Sequence, residues 1–466
     1  MARVTQPAAE DVQPESKSVV LPMSTDGLNA AVNKLAGPVI LENLFQTALG
    51  TVSMLMVARL GAAAIAGIGT ATQLLWVVQA AFAAITTGTT VLVARFIGAK
   101  EPDDANMVVK QSVVVGGLLS VVFGFIGLFF SDWFIIVMGA DADVVEAGGA
   151  YLTITMTASF FMIAMYTISG ALRGAGDSRT PMLVSGGINV INVAVSYVLI
   201  FGKLGFPAMG IAGAAWGVTI SRAVGTGILL WFLVGGKGSL SIRGKAGWAP
   251  DFKLIWRMLR LGLPTMVEQL LMSGGMLIFA VISISLGTTI YATQRITFQV
   301  TSLTFMPGFG YAMAATAVVG QYLGAKRPDL AERANTHCVK VATILMTLIG
   351  LACAVLGKPL MRLFTDDPEM IAVGVQALWV INLAWPSMAI AQVLAGSLRG
   401  AGDTRFPMYT TFLGVWLMRL PLSYLFGPTL GWGLAGLYLA LSADSALRAI
   451  ASWLRYRTGS WRDIEV

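Results

Sequence analysis

Leu172-Arg-Gly-Ala-Gly-Asp-Ser-Arg-Thr-Pro-Met182 returns 226 residues later as Leu398-Arg-Gly-Ala-Gly-Asp-Thr-Arg-Phe-Pro-Met408, with nine of eleven positions identical. The same shift carries Phe96-Ile-Gly-Ala-Lys-Glu-Pro-Asp103 onto Tyr322-Leu-Gly-Ala-Lys-Arg-Pro-Asp329, and Pro38 and Glu42 onto Pro264 and Glu268. A register kept this long without a gap marks one module written twice.

The chain of 466 residues is 56% hydrophobic and only 12% charged, about half the charge of a soluble domain. Apolar runs of 18 or more residues read as membrane spans, and twelve are expected. They cover 35–58, 65–93, 108–130, 147–172, 182–201 and 210–234, then 262–285, 296–321, 339–356, 372–398, 408–426 and 433–454. Six spans per module is an even number, so the second module starts on the same side as the first. The fold class expected is an all-α membrane protein of twelve transmembrane helices, in two parallel six-helix repeats around a central cleft. The divisions are a cytoplasmic tail (1–33), a first bundle (34–234), a cytoplasmic linker (235–261), a second bundle (262–455) and a cytoplasmic C-terminal tail (456–466).

The net charge of +7 does not point to nucleic acid. Of 31 Lys and Arg, only Arg59, Lys203, Lys358 and Arg362 fall on the side opposite the termini, and Arg222, Arg295, Arg419 and Arg448 fall in or at the edge of spans. The rest lie with the termini, which the positive-inside rule assigns to the cytoplasm of an inner-membrane, multi-pass protein. Residues 1–33 are polar and lack the apolar core of a cleavable signal.

Both repeated loops fall on the cytoplasmic side. Pro181 and Pro407 suit the first turn of the next span, and Asp177 and Asp403 are placed to cap it or to pair with Arg173, Arg179, Arg399 or Arg405. Gly-x-Gly without a preceding strand is a weak phosphate signal, so a structural role is expected.

Together, the Arg-Gly-x-Gly-Asp and Gly-Ala-Lys loops, Phe305-Met-Pro-Gly-Phe-Gly-Tyr311, Pro38-x-x-x-Glu-Asn-Leu-x-Gln and Pro264-x-x-x-Glu-Gln-Leu resemble a bacterial branch of the multidrug and toxic compound extrusion (MATE) family. The resemblance covers residues 28–455. It implies an antiporter, with no cofactor, that expels amphipathic organic cations and similar xenobiotics in exchange for H+ or Na+. Many members carry Asp in the first span where this chain has Ser53, so a cation site built on that Asp does not carry over.

Three carboxylates lie within spans: Glu42, Glu268 and Asp444. Charged groups at this depth are functional candidates by default. Asp444 has Arg448 one turn away and is expected to pair with it. Glu42 and Glu268 have no basic residue three or four positions away, and occupy equivalent repeat positions. They are expected to serve as unpaired coupling carboxylates, with Gln46, Ser53 and Gln269 beside them. Glu42, Gln46, Leu49 and Ser53 lie within about 60° on one helix face, as do Glu268, Met272, Gly275 and Phe279. Met272, Met276, Met306, Met313, Trp379, Asn382 and Trp385 are candidate cleft linings, because flexible thioethers and aromatic rings suit varied and cationic ligands.

A flippase for a lipid-linked precursor is the alternative, needing several cleft arginines from among Arg222, Arg295, Arg419 and Arg448. An enzyme is not expected. His337 is the sole histidine, Cys338 and Cys353 are read as apolar packing, and no metal signature or nucleotide-binding Gly-x-x-x-x-Gly-Lys-Ser/Thr occurs. The partners expected are amphipathic small molecules and membrane lipids around a monomer.

Overall fold

A computed structural model describes residues 21–236 and 238–465. Most of the expected N-terminal tail, residues 1–20, lies outside them. Among the described residues there is no β-strand. The helices are α1 (Leu28–Ala58), α2 (Ala62–Ala99), α3 (Pro102–Val137), α4 (Ala142–Thr157), α5 (Ser159–Gly174), α6 (Arg179–Phe201) and α7 (Gly210–Gly235). After the linker come α8 (Phe252–Ser285), α9 (Thr288–Thr301), α10 (Phe305–Gly324), α11 (Pro328–Val355), α12 (Gly357–Arg362), α13 (Pro368–Ile381), α14 (Ala384–Gly400), α15 (Arg405–Thr411), α16 (Leu420–Tyr424) and α17 (Gly433–Arg457).

Nine helices among the described residues are long and apolar enough to cross a membrane, or eleven spans if two bent pairs each count as one. Those pairs fall where single spans were expected. α4 and α5 meet at 55°, and α13 and α14 at 50°. In the second, Pro386 has no N–H for the Asn382 carbonyl. In the first, a neighbouring side chain takes up a backbone group just past the break: Thr226 Oγ1 of α7 donates to the Phe161 carbonyl at 2.9 Å. Such breaks survive in a bilayer only when the freed groups are re-satisfied. The expected span at 408–426 is helical but alternates between α and π turns from Arg405 to Thr429.

The repeated loops are explained by packing. A Cβ at Gly174 or Gly400 would collide with the Thr90 or Thr316 carbonyl. The second glycines, Gly176 and Gly402, have φ of +89° and +94°, a region that favours glycine. Asp177 accepts from the Arg179 and Thr180 amides at 3.1 and 3.0 Å, capping α6 as expected. Asp403 accepts from the Phe406 amide and pairs with Arg455 at 2.8 Å.

All cross-half hydrogen bonds among the described residues lie at the end that carries these loops, the start of α1 and the end of α17. Arg95 Nη2 donates to the Ala401 and Ile464 carbonyls at 2.9 and 3.1 Å. Gln321, at the repeat position of Arg95, donates to the Gly174 carbonyl at 2.7 Å. Gly98 and Gly324 allow the close approach, because a Cβ there would strike the Gln321 and Arg95 carbonyls. Residues before each first helix strap across to the other half. Tyr322 donates to the Pro22 carbonyl at 2.9 Å, and within the first turns of α1 Asn33 bonds His337 at 3.0 Å. Lys110 donates to the Arg243 and Ala246 carbonyls of the linker at 3.0 and 2.7 Å. The linker is shorter than expected: Asp251 caps α8, which begins ten residues before the expected span.

Candidate coupling and substrate site

Glu42 is 4% exposed on α1. Its carboxylate accepts from Arg173 Nη2 at 2.9 and 2.8 Å, and Ser185 Oγ of α6 donates to Oε1 at 2.7 Å. Glu268, 8% exposed on α8, accepts from Arg399 Nη2 at 2.9 and 3.2 Å and from Thr411 Oγ1 at 3.4 Å. Every member of the second set sits 226 residues after its counterpart in the first.

The expectation of unpaired carboxylates is therefore corrected. The arginines come from the ends of α5 and α14, 131 residues away in sequence, and a search one turn along the same helix does not reach them. Arg173 and Arg399 were expected near Asp177 and Asp403, but they reach across to the first helix of their own half. The signal the sequence offers is that each half repeats one intra-span glutamate and one arginine of opposite charge at a span end.

Beyond the carboxylates the flanking candidates spread out. Gln46 and Gln269 are exposed, Ser53 is half-buried, and none of them bonds the glutamates. Met272, Met306 and Met313 are half-buried, and Met276 is 41% exposed. Asn382 stands at the α13–α14 break, and Trp379 is 49% exposed. Trp385 is fully buried in the second-half core, edge-on to Phe305 at 5.0 Å. Cys338 is packed in that same core.

Asp444 pairs with Arg448 as expected, at 2.9 Å, and also with fully buried Arg419. Gly414 makes room, since a Cβ there would meet Asp444 Oδ1 and the Arg448 stem. This cluster removes two of the four arginines a flippase would use. Arg222 and Arg295 remain.

The comparisons with known proteins settle the family. The MatE family model matches residues 38–198 and 264–425, one segment in each half. The chain belongs to the MatE family. Over 428 residues, 92% of each chain, it is 32% identical to the probable multidrug resistance protein NorM of Thermotoga maritima. Multidrug resistance protein MdtK of Edwardsiella ictaluri is 26% identical, over 92% of this chain and 96% of that one. Among solved structures, an outward-facing multidrug resistance MATE transporter of the MOP superfamily superposes with a TM-score of 0.86, at 23% identity over 94% of this chain and 97% of that chain. A MOP-superfamily transporter from Pyrococcus furiosus gives 0.86 at 22% identity, with the same coverage. MatE proteins are transporters, and this one is an integral membrane protein.

Proposed function

We propose that the chain is a secondary active multidrug efflux antiporter. It exports amphipathic organic cations and similar xenobiotics in exchange for protons or sodium by alternating access. The names of its relatives support the substrate class. The coupling reading rests on one observation: two Glu–Arg–hydroxyl sets at equivalent repeat positions, each beside the contact that closes the two halves together.

The chain crosses an inner membrane twelve times as a monomer, in bundles 34–234 and 262–455, with both termini in the cytoplasm. The closed end is then cytoplasmic. Glu42 and Glu268 carry the coupling ion, with Gln46, Ser53 and Gln269 along the path. A proton or sodium ion on Glu42 neutralises the carboxylate and loosens its hold on Arg173. Arg173 adjoins Gly174, whose carbonyl binds Gln321 of the other half. Arg399 lies two residues before Ala401, whose carbonyl binds Arg95 of the other half. Ion binding thus loosens the cytoplasmic closure from both halves.

Two measurements test this reading. Cells overproducing the protein are expected to accumulate less of an ethidium-like dye than cells without it. Unchanged accumulation across a broad cation panel, with expression confirmed, would favour a lipid-precursor flippase. Single cysteines at Lys100, Arg179, Lys245, Lys326 and Arg405 are expected to react only from the cytoplasm. Labelling any two of them from opposite sides removes the topology.

A further inference from the structure

Arg222 lies halfway along α7, and its repeat counterpart is Arg448. The second half surrounds Arg448 with three enabling residues: Asp444 as counter-ion, Arg419 on the same carboxylate, and Gly414 to leave room. At the corresponding positions the first half has Val218, Val193 and Ile188. The counter-ion is replaced by Val218, and Ile188 stands where Gly414 leaves room. Glu42, the buried carboxylate of the first half, is already held by Arg173 and Ser185.

Arg222 therefore has no hydrogen bond or ion pair among the described residues. It is half-buried, and its guanidinium nitrogens are not sealed off by protein. Its face of α7 carries Ala215, Thr226, Leu229 and Leu233, all buried, whereas exposed Trp216, Ile220, Val224 and Trp231 take the opposite face. Thr226, one turn on, bonds Phe161 just beyond the α4–α5 break. Arg222 thus faces into the first bundle at the level of that break. An intramembrane guanidinium facing the interior without a counter-ion is a ready receptor for an anionic group, and its planar fork matches a carboxylate.

We propose that Arg222 is the residue of the first bundle that holds the carboxylate of those exported amphipathic compounds that carry one. This rests on the efflux reading above and assigns one residue of its substrate site. The two glutamates are occupied by arginines in this conformation, and of the two remaining span arginines Arg222 faces the bundle interior, whereas Arg295 is exposed.

The test uses a matched pair of dyes, a rhodamine with a free carboxylate and its ethyl ester, in proteoliposomes under imposed proton and sodium gradients. Arg222→Gln is expected to lower kcat/KM for the acid dye by at least about tenfold, the size of one lost charge-assisted contact, and to leave the ester nearly unchanged. Arg222→Lys should retain part of the acid transport. Val218→Asp, which rebuilds the spacing of Asp444 and Arg448, should match Arg222→Gln by giving the guanidinium an internal partner. Equal loss of both dyes, or loss of neither, in folded variants overturns the assignment. Should the variants fail to insert, dye binding to the wild type decides, since equal affinity for acid and ester also overturns it. If the wild type exports neither dye under either gradient, it is the efflux reading that fails.

Discussion

Glu42→Gln and Glu268→Gln are each expected to abolish gradient-driven efflux while the protein still inserts. An amide keeps the shape of the carboxylate but cannot take up a proton or balance a cation. Each variant also leaves a guanidinium without its counter-ion, which for a buried pair costs about 3–5 kcal/mol. That cost should be smaller at Glu268, because the Arg399 side chain is 23% exposed against 12% for Arg173. Stability and coupling therefore need to be separated. The double variants Glu42→Gln/Arg173→Gln and Glu268→Gln/Arg399→Gln remove both charges and should regain much of the lost stability. Efflux should stay absent, because the ion carrier is gone. Recovery of efflux in the double variants would make the pairs purely structural. Glu→Asp, shorter by one methylene, should keep part of the activity. Thermal unfolding in detergent and dye efflux, measured on the same preparations, check both effects.

Asp444→Asn is expected to produce the largest loss of folded protein. Asp444 is fully buried and serves two arginines, one with its side chain 1% exposed and the other 13%. Without the carboxylate both charges stay inside the bundle, and breaking a buried pair in this way costs about 3–5 kcal/mol. Arg448→Gln should be milder, because Arg419 still binds Asp444 through Nε at 2.9 Å. Gly414→Ala should destabilise too, through the same space rather than the charge. Membrane-inserted yield and unfolding temperature are the readouts. If Asp444→Asn is as stable as the wild type, the cluster is not structural and Asp444 becomes a transport candidate.

Much of the helical fold was legible from the apolar runs, because a bilayer forces each run into a helix with its backbone bonds satisfied internally. The broken spans were not, because the breaks depend on what neighbouring helices offer: Thr226 for Phe161, and the missing N–H of Pro386 opposite Asn382. The start of α8 was placed late, since charged Lys253, Arg257 and Arg260 read as linker although Asp251 caps a helix there. At the candidate site, Glu42 and Glu268 are singled out by depth in their spans and by repeat position. Their arginines were missed, because a local search along one helix does not see a residue 131 positions away. Arg173 and Arg399 were nevertheless in the most strongly repeated motif, where they read as loop residues. Asp444–Arg448 was found because that pair lies on one helix. Arg419 arrives from another helix and became visible only in three dimensions.

Buried glutamates that couple an ion gradient to drug export must carry the driven flux. Dye flux in proteoliposomes is measured under an imposed pH gradient and then an imposed sodium gradient, comparing the wild type with the Glu42→Gln/Glu268→Gln double variant. The wild type is expected to move dye against its concentration gradient under at least one of the two, and the double variant under neither. Wild-type flux in the double variant, or no driven flux in the wild type under both gradients, would contradict this coupling.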